Sequence, residues 1–299
     1  MNGSGEATVP WSAFVRAAER RLAQAGVASP AAEARWLVER VSGHEGASYA
    51  AGLDEPATVG GVRRLEQLLD RRVAGEPLQY VLGCWAFRSL DLYVDRRVLI
   101  PRPETEVVVE HALGELDRIG AARAPGERGL VVDLGTGSGA IALSVAVERE
   151  RVEVWGTDRS PGAVAVARAN LAGIGRAATR VRIVEGSWFD PLPVELRGHL
   201  DVIVSNPPYV AADEQLPPEV VAWEPRTALV AGPRGTEALE VIVDTAADWV
   251  RPDGALVLEL APHQARTIAR RAGAAGWRDV RVEPDLAGRD RVLVARRPR

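Results

Sequence analysis

Apolar residues in the first part of the chain recur at the three- and four-residue spacing of amphipathic helices. A first helix is predicted from Trp11. A second begins at Ser29-Pro30, where a capping residue precedes a proline at the first helical position, and a third runs from Thr58 to a stop at Gly75. Residues 1–83 are therefore predicted to form a helical domain, with residues 1–9 disordered ahead of it. The periodic apolar positions are Trp11, Phe14, Val15, Ala18, Leu22 and Ala23, then Trp36, Leu37 and Val41, then Val62, Leu65, Leu68, Leu69 and Val73.

The pattern changes over residues 84–100, where apolar and polar residues alternate in two short runs. This alternation predicts a β-hairpin that links two domains. From residue 101 to residue 299, strand-like and helix-like segments alternate, which indicates an α/β fold with a parallel sheet. The last two strands, near residues 277–283 and 291–295, have no helix-length connection between them and are predicted to be antiparallel.

A strand, a glycine-rich turn and a helix are predicted to follow one another over residues 129–143. Glycines permit the tight turn and let the backbone approach a ligand closely. Gly135, Gly137 and Ala140 also satisfy the dinucleotide-binding pattern, so an NAD-dependent oxidoreductase is one alternative. Asp133, at the end of the strand, favours a different ligand, because a carboxylate there would repel a pyrophosphate and suit a cation.

Two more strand ends extend this prediction. The strand over residues 152–157 ends in Asp158, whose carboxylate is suited to accept hydrogen bonds from both hydroxyls of a ribose. The strand over residues 181–185 leads to Trp188, which is suited to pack against a purine. An adenosine with a positively charged tail that is not a phosphate is S-adenosylmethionine.

The run Asn206-Pro207-Pro208-Tyr209 follows a short apolar strand over residues 201–204. Neither proline can donate to a ladder, and a residue before proline is pushed towards extended geometry. Asn206 is therefore expected just beyond the carboxyl end of a strand, where open α/β sheets bind their ligands. The Asn206 amide oxygen, the Pro207 carbonyl and the Tyr209 ring together suit a planar NH2 group, either an amide or the exocyclic amine of a base.

These segments together resemble the class I methyltransferases and, within them, the HemK/PrmC family. The resemblance covers nearly the whole chain. It implies a Rossmann-like fold, S-adenosylmethionine as cofactor, and methylation of the glutamine amide nitrogen (N5) in the Gly-Gly-Gln loop of peptide-chain release factors. A sister group, which methylates a glutamine of a ribosomal protein, is similar but usually lacks the Pro-Glu-Thr-Glu part of residues 103–106. The matching segments are residues 79–83, 100–106, 133–139, 188–189, 206–209 and 224–230.

The resemblance and the residue patterns together give a candidate site. Catalytic roles are expected for Asn206, Pro207 and Tyr209, and substrate contacts for these three with Pro208 and Arg102. Cofactor contacts are expected from Asp133, Gly135, Thr136, Gly137, Ser138, Gly139, Asp158, Trp188, Asn206 and Thr105.

Three segments of the resemblance leave questions open. Residues 101–106 suit either a plain proline-opened helix or a lid beside the methionine end of the cofactor. Glu224 and Arg226 suit either a surface ion pair or a role in ordering the substrate loop. Ala261 stands where the family often has glycine, and this change is expected to alter a turn and not the chemistry.

Composition narrows the classes of function. The net charge of -4 disfavours a large phosphate-binding face, so nucleic acid is an unlikely partner, although an adenine-N6 methyltransferase remains the main alternative enzyme. The single cysteine, Cys84, allows no disulfide within the chain and no cysteine metal cluster, which indicates a reduced cytoplasmic setting and no metal. No signal region and no apolar run long enough for a bilayer are apparent, so no membrane partner is expected. A non-enzymatic binding module would require both aligned motifs to be coincidental.

Overall fold

The computed structural model describes residues 9–121, 123–124 and 126–299, so most of the segment expected to be disordered, residues 1–8, lies outside the described residues. The chain divides into two compact units, one ending at Gly83 and one beginning at Cys84. No helix among the described residues is long and apolar enough to span a lipid bilayer.

The described residues of the first unit form five helices, which include the three predicted ones. Its core contains Leu22, Leu37 and Leu65, at positions that the sequence pattern predicted. Thr58 caps its helix as expected, since its hydroxyl accepts from Gly61 N at 3.0 Å, whereas the Ser29 side chain makes no capping bond. Two short helices, the third and the fifth, were not predicted because a segment of one turn or so carries too few positions to show a period. The helices are α1 (Trp11–Gln24), α2 (Pro30–Ser42), α3 (Ala47–Gly52), α4 (Val59–Val73) and α5 (Leu78–Leu82).

The second unit begins with the predicted hairpin, strands β1 (Cys84–Phe87) and β2 (Leu90–Tyr93), paired antiparallel. The hairpin packs with the α/β part of the chain: Asn170 accepts from Tyr93 N at 2.7 Å and donates to the Tyr93 carbonyl at 3.0 Å. The same Asn170 amide donates to the Ser138 carbonyl at 2.8 Å. Hydrogen bonds thus connect β2 to the glycine-rich turn.

A seven-stranded sheet forms the centre of this unit, in the order β10-β11-β9-β6-β3-β4-β5. The five strands from β9 to β5 in that order are parallel, and β10 and β11 are antiparallel as predicted. A separate parallel pair, β7 with β8, is too short to predict from sequence. The strands are β3 (Gly129–Leu134), β4 (Val152–Asp158), β5 (Val181–Glu185), β6 (Leu200–Ser205), β7 (Val210–Ala211), β8 (Val230–Gly232), β9 (Val250–Glu259), β10 (Arg278–Pro284) and β11 (Asp290–Arg296).

Helices cover both faces of the sheet, because successive strand residues point to opposite sides. Val131 of β3 packs in one apolar cluster with the first three helices of the unit, and its neighbour Val132 packs in the other with the last two. The helices are α6 (Pro103–Gly120), α7 (Ala140–Glu148), α8 (Pro161–Gly173), α9 (Pro218–Trp223), α10 (Arg226–Leu229), α11 (Glu237–Ala246) and α12 (Ala265–Ala274). This is a Rossmann-like methyltransferase fold, with the ends of β3, β4, β6 and β9 at one edge of the sheet.

Candidate active site

A cleft with an empty volume of about 910 Å³ opens at the carboxyl ends of the parallel strands. Most of the candidate site residues from the sequence analysis line it. Residues 97–99, which the sequence did not single out, line it too, as do Pro101, Pro225, Thr227 and Ala228 from two segments of the family resemblance. The nominated residues that line the cleft are Thr105, Gly135, Thr136, Gly137, Ser138, Asp158, Trp188, Asn206 and Pro208.

The glycine-rich turn forms one wall of the cleft. Gly135 and Gly137 have φ angles of 72° and 56°, in the left-handed region where a side chain is costly. The backbone N–H groups of Gly135 and Thr136 both donate to the Thr157 carbonyl, at 2.8 and 2.9 Å. The turn is thereby tied to the end of β4, and its backbone faces the open space.

Asp133 lies behind this wall and does not line the cleft. Its Oδ2 accepts from the Thr136 hydroxyl at 2.6 Å and from Ala142 N at 3.1 Å, so it stabilises the turn and the first turn of α7. Its Oδ1 is buried and accepts no hydrogen bond. Burial raises the pKa of this carboxyl from 3.8 to about 7, against the two bonds that lower it. Gly139, at the start of α7, is likewise outside the lining.

Asp158 does face the cleft, as expected. Its Oδ2 accepts from Gly137 N at 3.0 Å and its Oδ1 from Ser160 N at 2.8 Å. Burial is the main cause that raises its pKa. A carboxylate has about four lone-pair sites, so two acceptors remain for the two hydroxyls of a ribose.

Trp188 stands beside the turn, and a Cβ added to Gly135 would lie 3.6 Å from its ring. Its backbone is left-handed, with φ 47°, and its carbonyl accepts from the Thr157 hydroxyl at 2.8 Å. An aromatic face and a carboxylate with spare acceptors thus line one cleft with a glycine-rich backbone. This donor and acceptor set fits an adenosine.

Asn206 lies on the other side of the cleft, directly after β6. Its Nδ2 donates to Thr105 Oγ1 at 3.0 Å, and Thr105 Oγ1 donates to Glu259 Oε2 at 2.7 Å. The Tyr209 hydroxyl donates to the other oxygen of Glu259, at 3.1 Å. With its NH2 group held by Thr105, Asn206 keeps its Oδ1 as an acceptor. Pro207 and Tyr209 do not line the cleft themselves.

Glu259, at the end of β9, was not nominated as a site residue. It is 1% exposed, and burial raises its pKa, while the Thr105 and Tyr209 hydroxyls and the charge of Arg291 favour the ionised form. The sequence signal that pointed to it was its position at a strand end, two residues before Ala261. It lies 154 positions from Thr105 along the chain, a separation that no local pattern reveals.

The turn after Glu259 holds Tyr209, at the end of the Asn206–Tyr209 run, in place. Gln264 Nε2 donates to the Tyr209 carbonyl at 2.8 Å, and Gln264 Oε1 accepts from Ala261 N at 3.2 Å. Ala261 has φ -76° and ψ 146°, an extended conformation open to any residue. The turn therefore does not require the glycine that the family often has there.

Residues 101–106 open a helix on a proline and also contribute to the cleft. Helix α6 opens on Pro103 and carries two glutamates in its first turn, and Pro101 and Thr105 line the cleft. Of the two alternatives for Glu224 and Arg226, the ion pair between them is wrong: the buried Glu224 pairs with Arg102 and also accepts from Ile100 N at 3.2 Å. Arg102 is therefore bound to Glu224 and does not line the cleft.

Within the described ranges, no group of three or more histidine, cysteine, aspartate or glutamate side chains is placed to hold a metal ion.

Comparison with known proteins gives consistent matches across both units. Residues 13–83 match the family model "PrmC N-terminal domain", and residues 119–222 match "Methyltransferase small domain". A release factor glutamine methyltransferase from Moorella thermoacetica is 43% identical over 94% of this chain and 96% of its own length. Another with that name, from Cereibacter sphaeroides, is 39% identical over 95% and 97%. A methyltransferase structure from Pyrococcus furiosus, 19% identical with a TM-score of 0.51, covers 80% of this chain and 99% of its own, and supports the fold alone.

Proposed function

We propose that this chain, which belongs to the release factor glutamine methyltransferase family, transfers a methyl group from S-adenosylmethionine to the side-chain amide nitrogen of a release-factor glutamine. One observation carries the proposal: Asn206 stands at the end of β6 in the same cleft as the glycine turn and Asp158, with its NH2 group held by Thr105. The acceptor oxygen of Asn206 is thus available to a substrate that brings N–H donors.

The cofactor half of the cleft is proposed to act through binding. S-Adenosylmethionine, when bound, supplies a methyl group on a positively charged sulfur. Asp158 accepts from the ribose hydroxyls, Trp188 packs against the adenine, and the backbone of the glycine turn lies against the remainder. Asp133 contributes indirectly, since it holds Thr136 and the start of α7 in place.

The substrate half is proposed to act by positioning the amide nitrogen of the substrate glutamine. An amide nitrogen is a poor nucleophile because its lone pair is delocalised into the carbonyl. Asn206 Oδ1 and the Pro207 carbonyl accept its two N–H bonds and hold the nitrogen in line with the methyl group. As the nitrogen gains positive charge, both acceptors bind it more tightly, so the stabilisation is greater in the transition state than in the ground state. The proton leaves after methylation, when the nitrogen has become acidic.

Residues 1–83 are proposed to recognise the protein substrate. They form a separate compact unit and carry no cofactor motif. Residues 84–100 stay with the catalytic unit in this proposal, because the hairpin is bonded to Asn170. A cytoplasmic location, where release factors act, belongs to the same proposal.

The decisive test offers labelled S-adenosylmethionine with three substrates in parallel: a purified release factor, a ribosomal protein of the kind methylated by the sister group, and DNA. Label should enter the release factor, and mass spectrometry should place it on the glutamine of the Gly-Gly-Gln loop. Preferential labelling of DNA would instead identify an adenine methyltransferase, and labelling of the ribosomal protein the sister activity.

A second test separates the two units. A truncated variant that begins at Cys84 should bind S-adenosylmethionine with the affinity of the full chain but methylate intact release factor much more slowly, because remote contacts position the substrate. A short Gly-Gly-Gln peptide lacks those contacts and should be a poor substrate for both proteins. Equal rates on intact release factor would contradict the recognition role of residues 1–83.

A further inference from the structure

With Glu259 ionised, the hydrogen bonds that connect Glu259, Thr105 and Asn206 have a single direction. An ionised carboxylate accepts and cannot donate, so the contact of 2.7 Å requires Thr105 to donate its single hydroxyl proton to Glu259. Thr105 then has only lone pairs left for Asn206, and the contact of 3.0 Å requires Asn206 to donate. The NH2 end of the Asn206 amide must therefore face Thr105, and its oxygen must face away.

We propose that Glu259 is a positioning residue that fixes which end of the Asn206 amide is presented to the substrate. The proposal rests on the proposed function, because the amide end matters only if Asn206 accepts from a substrate N–H. Glu259 touches neither substrate nor cofactor in this scheme and acts through Thr105.

Two hydroxyl donors and one positive charge oppose the burial that raises the pKa of Glu259. Its second oxygen accepts from the Tyr209 hydroxyl at 3.1 Å, and the charge of Arg291 lies close enough to favour the carboxylate. Both oxygens are thus occupied by donors, and the group is 1% exposed. A carboxylate placed to remove the substrate's proton would instead need an oxygen open to the cleft.

Glu259→Gln tests the direction with little change of shape. The new NH2 group can donate to Thr105, whose own proton is then free to point at Asn206. The Asn206 amide can turn over and present N–H groups to substrate N–H groups, which repel each other. We expect turnover to fall roughly tenfold to a hundredfold, the scale of one misdirected buried hydrogen bond to a charged group. The dissociation constant of S-adenosylmethionine, measured by calorimetry, should change less than threefold.

A double-mutant cycle with Asn206→Ala decides whether Glu259 acts through Asn206. With no amide left to orient, Glu259→Gln should cost less than about twofold in the Asn206→Ala background. An equal loss of turnover in both backgrounds would show that Glu259 acts independently, and wild-type turnover of the single variant would also overturn the inference.

Thr105 provides a second route to the same answer if Glu259→Gln does not fold. Thr105→Ser keeps the hydroxyl and should retain turnover within about threefold. Thr105→Val has nearly the same shape without the hydroxyl, and should lose turnover only where Asn206 is present. Equal turnover of the serine and valine variants would overturn the proposal.

A failure of the proposed function can be distinguished from a failure of the orienting role of Glu259. If the wild-type protein does not methylate a release factor, the same cycle is measured on whichever parallel substrate accepts the methyl group. Coupling between Glu259 and Asn206 there would support the orienting role for a different N–H substrate, and its absence would overturn it.

Discussion

The two halves of the cleft, one proposed to bind the cofactor and the other the substrate, are built in different ways. The cofactor half is local: one strand, one turn and one helix over residues 129–148 supply the glycine turn, and Asp158 ends the adjacent strand β4. The substrate half is assembled from three separate segments: the first turn of α6, the end of β9 with the turn after it, and the residues after β6. They meet through the bonds of Thr105 to Glu259 and Asn206 and through the bond of Gln264 to the Tyr209 carbonyl. Backbone geometry dominates the first half, and side-chain hydrogen bonds dominate the second.

This difference implies that the halves can be damaged separately. A glycine turn held by backbone bonds to β4 should keep its shape when a side chain across the cleft is removed. A chain of side-chain hydrogen bonds should instead be sensitive to the loss of any one member. The four predictions that follow test this separation.

The largest effect is expected from Asn206→Ala. The change removes one preorganised acceptor from the amide grip, and such losses cost about a hundredfold or more in turnover. Cofactor affinity should fall much less, because Asp158 and the glycine turn are untouched. Rates at saturating cofactor together with calorimetry measure both quantities. A variant that turns over at nearly the wild-type rate would rule out the amide grip.

Asp158→Ala is the matching change in the cofactor half. Two ribose hydroxyls would lose their acceptor, which should weaken S-adenosylmethionine binding by about 1–3 kcal/mol. Turnover at saturating cofactor should stay close to wild type, the reverse of the pattern for Asn206→Ala. Unchanged affinity in calorimetry would show that Asp158 does not bind the cofactor.

Asp133 should make stability depend on pH. Asp133 stays protonated in the folded protein up to a pH of about 7, whereas the ordinary pKa of an aspartate is 3.8. Between these two pH values the folded state therefore binds more protons than the unfolded state. The free energy of unfolding should therefore fall as pH rises through that window, by about 1.4 kcal/mol per pH unit from this residue.

Asp133→Asn removes that titration and leaves Asp158 and the other carboxyls in place. Urea unfolding of both proteins at pH 5, 6 and 7 should show that the free energy of unfolding of the variant, relative to the wild type, increases as pH rises. Parallel stability curves would mean that Asp133 titrates normally.

The smallest effect is expected from Ala261→Gly, which restores the residue common in the family. Because Ala261 already has an extended conformation, glycine adds only freedom to the unfolded chain and should lower stability by about 0.4–1 kcal/mol. Turnover should not change, since the Gln264 bonds involve the backbone of residue 261 and not its side chain. A clear gain or loss of turnover would show that the methyl group of Ala261 acts on the substrate loop.

The sequence predicted structural elements that lie within short segments, and it missed contacts between residues that are distant along the chain. Short segments encode the three long helices of the first unit, the hairpin and the final antiparallel pair. They also encode the strands that carry Asp133 and Asp158 and the strand that ends just before Asn206. Asp133 shows the limit of this reasoning: its position at a strand end was right, but only the fold shows that it turns inward to Thr136 and Ala142.

Partners distant in sequence could not be predicted. Arg226 was the nearest cation to Glu224 along the chain, yet the fold brings Arg102, which is 122 positions away. Glu259 was passed over for the same reason, because a glutamate at a strand end acquires its role only from the hydroxyls that other segments bring to it. Burial and hydrogen-bond direction depend on three-dimensional neighbours and have no signature in a single sequence.

The boundary between Gly83 and Cys84 has an evolutionary consequence. Gly83 ends α5 in a left-handed conformation, and the hairpin that follows is bonded to the catalytic unit and not left as a free tether. Recombination at this junction would transplant a whole helical unit and leave the Asn170 bonds to the glycine turn undisturbed. A lineage could thereby exchange one helical unit for another while it inherits the catalytic unit intact, and a junction placed inside the hairpin would not allow this.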